Sequence, residues 1–68
     1  MMKIEVNYLI FNRSGNDYVA ENVNRSTIIE VAFSENEVEM DKLIQSELSS
    51  DINRPINEFK VLSRRRIL

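Results

Sequence analysis

The chain has 68 residues, a net charge of −2, 43% hydrophobic and 29% charged residues, and neither cysteine nor histidine. That length gives one domain, residues 1–68, with a core small enough for stability to depend on good packing or on oligomerisation. The missing residue types exclude disulfides, Ser–His and Cys–His nucleophile pairs and ordinary zinc sites, and the apolar content is that of a globular chain.

Residues 2–11 predict a half-buried strand. Met2, Ile4, Val6, Tyr8 and Ile10 share one face, and Lys3, Glu5 and Asn7 the other. Leu9 and Phe11 fall on the polar side. A bulge near residue 9, cover on both faces, or an apolar spot offered to a partner would each account for them. The segment from Asn12 to Asp17 is the clearest turn, and its Gly15 and Asn16 are the residues most able to take positive φ. A second strand follows over Tyr18–Val23, then a second turn marked by Asn22, Asn24, Arg25 and Ser26.

Thr27–Phe33 is β-branched and apolar and predicts the strongest strand, with Ile29, Val31 and Phe33 on one face and Ile28 and Ala32 on the other. Left at an open edge, such a segment invites another strand to pair with it. Ser34 and Glu37 have the spacing of a capping box, and the spacing predicts a helix over 35–49. Met40, Leu43, Ile44 and Leu48 form its apolar stripe, widened by Val38 and Ile52. Acids crowd its first turns, where the positive end of the helix dipole favours them. Ser49, Ser50 and Asp51 fray its end, and Pro55 bars continuation. Ile56–Leu62 predicts a last strand, which Ser63–Leu68 either extends or follows as a tail.

The order β-β-β-α-β makes an α+β two-layer sandwich: an antiparallel meander of three strands, one helix across one face, and a C-terminal strand. The last strand, parallel to the first, can dock beside the first strand or beside the third; docking beside the first is preferred, which gives the order 4-1-2-3 with Thr27–Phe33 at an edge.

Charge is unevenly spread. Residues 34–51 carry six acids and one lysine, and residues 52–68 carry five basic residues and one acid. The acidic helix and basic tail are expected to neutralise each other within the fold. Carboxylates at Glu35/Glu39 and Glu37/Asp41 read as solvated helix surface rather than a metal site. With one glycine there is no phosphate-cradling loop, and so small a sandwich has little room for a catalytic cleft. No cofactor and no enzymatic activity are expected.

What remains is a protein-interaction module, of the size found among accessory proteins of phages and mobile elements that bind and modulate a host protein. The residues expected to meet a partner are Thr27, Ile29, Val31 and Phe33 on the apolar strand, and Arg64, Arg65, Arg66, Ile67 and Leu68 at the end of the chain. A homodimer through the strand edge is one such pairing. Nucleic-acid binding by the basic C-terminal segment is the alternative, weakened by a sequence pI near 5.0. With no long apolar run and no signal-peptide pattern, no membrane role is expected; the expected location is the cytoplasm, or a host's cytoplasm for a viral protein.

Overall fold

The structure is a computed structural model that describes all residues 1–68. Its elements are β1 (Met2–Ser14), β2 (Asp17–Ala20), β3 (Arg25–Val31), α1 (Glu37–Ile52), a 3-10 turn (Ile56–Glu58) and β4 (Phe59–Arg66). This is an α+β sandwich in the expected order β-β-β-α-β, with one antiparallel sheet and one helix.

β1 is the hub. Its residues 2–8 pair with β3 and its residues 4–10 with β4, so those two strands flank it on opposite edges. Its outer end, Phe11–Ser14, turns back on β2 as a hairpin. A strand of 13 residues at about 3.3 Å each spans about 43 Å, which matches the 39 Å long axis of the molecule. The hairpin turns on Gly15 alone, at φ 62; Asn16 keeps negative φ. Positive φ at only the first central residue suits a two-residue type II′ connection.

Two expectations about topology are corrected. β2 and β3 are not successive antiparallel strands of a meander. Both run antiparallel to β1, so Glu21–Asn24 is a kink in one returning leg and not a reversal. β3 therefore pairs directly with β1, and β4 lies antiparallel to β1, not parallel to it. The helix carries the chain back, which makes β4 parallel to β3 and hence opposed to β1. The edge position of β3 and the internal position of β1 are as expected.

The alternation in β1 continues unbroken. Ile4, Val6, Tyr8 and Ile10 are buried, and Leu9 and Phe11 are half-covered on the outer face. The irregularity lies in β4, where Asn7 opposes Ser63 but Tyr8 opposes Val61, leaving Leu62 as the extra residue of a bulge.

Ten side chains form the core: four from β1, Ile29 and Val31 from β3, Met40, Ile44 and Leu48 from α1, and Phe59. Leu43 and Ile52 pack against its rim, whereas Val38 is 63% exposed and does not widen the buried face. The helix starts two residues later than expected. Asn36 is its N-cap and accepts from the Glu39 amide, while the Ser34 hydroxyl accepts from the Asn36 amide in the turn before it. The helix runs on to Ile52 and ends at Asn53, which takes the left-handed conformation at φ 56 and donates its amide to the Ser49 carbonyl. Asparagine takes here the left-handed place that glycine usually takes at helix ends of this kind.

Candidate functional site

Antiparallel pairing of β4 decides where the basic residues go. A parallel β4 would have carried Arg64–Arg66 to the far end of β1, beside Leu9 and Phe11. Instead Arg64 opposes Val6, Arg65 opposes Glu5 and Arg66 opposes Ile4. Side chains alternate across a strand, so Arg64 and Arg66 rise on the helix face and Arg65 on the outer face. Arg64 Nη1 lies 2.6 Å from Asp41 Oδ1 on the helix, and Arg65 Nη2 lies 3.2 Å from Glu5 Oε1. The Arg64 pair joins basic strand to acidic helix, as the uneven charge of the two segments implied. Arg66 has no acid within ion-pair reach.

A cleft of about 320 Å³ lies between the start of the helix and the β1–β4 ladder. Its floor is apolar, from Met2, Ile4, Phe33 and Met40. Arg64 and Arg66 stand on one side and Glu35 and Glu37 on the other. The connection over it is held by the Ser34 amide, which donates to Met40 Sδ. Phe33 lies beyond the end of β3, 64% exposed, and belongs to this cleft rather than to the strand.

The other residues expected to meet a partner are placed as follows. Ile29 and Val31 turn into the core, so their side chains serve the fold and only their strand is exposed. Thr27 is half-buried and its hydroxyl donates to Asp51 Oδ2 at 3.2 Å, tying β3 to the end of the helix. Ile67 and Leu68 continue the ladder beyond β4: the Ile67 amide donates to the Lys3 carbonyl and the Lys3 amide to the Leu68 carbonyl, with both side chains exposed.

Sequence reasoning missed Ile28, the large apolar side chain that β3 leaves exposed, at 56%. It also missed Met2, Ile4 and Met40 as cleft residues. The signal for Ile28 was present, since it alternates with the buried Ile29. The cleft had no such signal, because it depends on the direction of β4.

On the outer face, cross-strand polar pairs dominate. Lys3 meets Glu30, Glu5 meets Arg65, and Asn7 Nδ2 donates to Ser63 Oγ at 2.9 Å. At the hairpin end a polar chain links separate elements. Arg25 Nε donates to Glu21 at 2.9 Å, Asn12 donates to the same carboxylate, and Arg54 bridges Asn12 and Glu58. The Glu21 carboxyl is held below its ordinary value, first by the hydrogen bond from Arg25 and then by that from Asn12; the same pairing raises Arg25.

No helix is long and apolar enough to cross a membrane, and no group of three or more acids gathers as metal ligands would. Comparison with protein-family models, with curated proteins and with solved structures finds no match.

Proposed function

We propose that this chain is a small, non-enzymatic protein-interaction module that works by strand addition at the open edge of β3. The observation that carries the reading is an edge strand with free backbone and an exposed apolar side chain at its centre. Lys3 turns both its N–H and its C=O toward the β4 side. By the alternation of antiparallel ladders, Ile4, Val6 and Tyr8 face β3 and engage Ile29, Thr27 and Arg25. The backbones of Ser26, Ile28 and Glu30 are left pointing outward, ready for another strand.

The strand suits a second copy of itself. Antiparallel pairing about Ile28 uses the whole length of β3, sets Ile28 on the second copy's Ile28, and places Ser26 opposite the second copy's Glu30. No like charges then face each other. A module of this size fits an accessory protein of a phage or mobile element that acts in the cytoplasm by occupying a host protein. The nucleic-acid reading is weaker, because the chain is acidic overall, with a sequence pI near 5.0.

Sedimentation of the purified protein at micromolar concentration tests the pairing. The expected result is a particle of twice the 8.0 kDa chain mass. Ile28→Lys, which sets two cations across the axis, is expected to return it to a folded monomer. A monomeric unmodified protein rules out self-pairing.

A further inference from the structure

The second edge of the sheet is different. Glu5 and Asn7 turn the same way as Lys3, toward β4, and oppose Arg65 and Ser63. Arg64 and Arg66 therefore turn their own N–H and C=O away from β1 and into solvent. On the helix side this half of the sheet is poorly covered: Phe59 is buried and Val61 half-buried, but Arg64 and Arg66 are exposed. The cleft floored by Met2, Ile4 and Met40 fills the gap.

The β4 of a second copy is a poor match there. Antiparallel pairing of β4 with itself sets arginines 64–66 against arginines, or against Lys60, and like charges on facing strands repel. A strand that adds here needs acids on the face that meets Arg66. Arg66 has no internal acid, and the Arg65 side chain is 75% exposed beside its single partner Glu5. The edge also offers carbonyl acceptors as well as amide donors. A peptide backbone satisfies both, whereas phosphates only accept. We propose that the β4 edge and its cleft bind an extended acidic segment of another protein, which adds as a strand beside Arg64–Arg66 and seats an apolar side chain between Met2 and Met40.

This surface is independent of pairing at β3 and is tested separately. The probes are a soluble peptide repeating glutamate, serine, valine and serine, which sets glutamate and valine on one face as the cleft and Arg66 require, the same peptide with lysine for glutamate, the acidic peptide N-methylated at alternate residues, and a duplex DNA oligonucleotide. Each is titrated into the unmodified protein, with amide resonances followed. The acidic peptide is expected to bind in a salt-dependent way and to shift Phe59–Arg66 together with Met2, Phe33 and Met40. The lysine and N-methylated peptides are expected not to bind. Arg66→Glu, which breaks no internal ion pair, is expected to weaken binding by about tenfold while the melting temperature holds. The proposal is overturned by any of four results: no binding of the acidic peptide, equal binding of the N-methylated form, shifts confined to other elements, or tighter binding of the DNA at the same residues.

Discussion

Ile44 and Leu48, at 1% and 0% exposure, are with Val6 of the central strand the most deeply buried large side chains of the molecule. A chain of this size has roughly 3–10 kcal/mol of stability at the usual per-residue value. Ile44→Ala is expected to remove about 2–5 kcal/mol of it, by lost burial and by the cavity left behind. Leu43→Ala, at the half-exposed rim, is expected to cost clearly less, and urea midpoints of the two variants compare them directly. Equal losses would place Leu43 in the core with Ile44. At the helix start, Asn36→Ala removes the oxygen that accepts the Glu39 amide and is expected to cost about 1 kcal/mol. In a domain of this size that lowers the melting temperature by roughly 4–8 °C. Ser34→Ala, which loses a bond outside the helix, is expected to lower it less, and the reverse order would make Ser34 the cap.

The elements themselves were legible in proportion to how local their causes are. The alternation of Met2–Ile10 and the stripe Met40–Ile44–Leu48 each need only neighbours in sequence, and both emerge as read. The cap was misplaced because Ser34 and Asn36 are both good N-cap residues, and the choice turned on how the chain leaves β3. The helix end was missed because asparagine can take the left-handed conformation but rarely must. The direction of β4 was misread for a non-local reason. Asn22–Asn24 has the composition of a reversal, yet the polar chain through Glu21, Arg25, Asn12 and Arg54 holds it as a kink. That chain is open to test by acid. Glu21 has a folded pKa below its ordinary value of 4.5, so its contribution is complete above that value and is lost as pH falls through the folded one. Denaturation midpoints are expected to fall on acidification below about pH 4.5, and Glu21→Gln to flatten that part of the profile. Superimposable profiles would show that the pairing adds nothing.

For the molecule as a whole, the candidate site was half visible. Arg64–Arg66 stood out as a basic run, and the strand turns two of its arginines toward the helix and one away. What they border could not be read, since Met2 and Phe33 reach them only through the fold. The same hub arrangement governs how the chain folds. β1 is first in the chain, and one of its two long partners is the last strand; Arg65 and Glu5, which touch, are 60 positions apart. Closing so long a loop before any contact forms is entropically costly, and sheets built from such pairings fold on the order of milliseconds to seconds. The β1–β3 pairing has the shorter span and is available first. Until Phe59–Arg66 arrives, one side of Met2–Ile10 is an unpaired apolar strand, open to any neighbouring chain. The last strand is thus a latch, and the rate at which it closes sets how long the half-folded chain can be captured by another molecule.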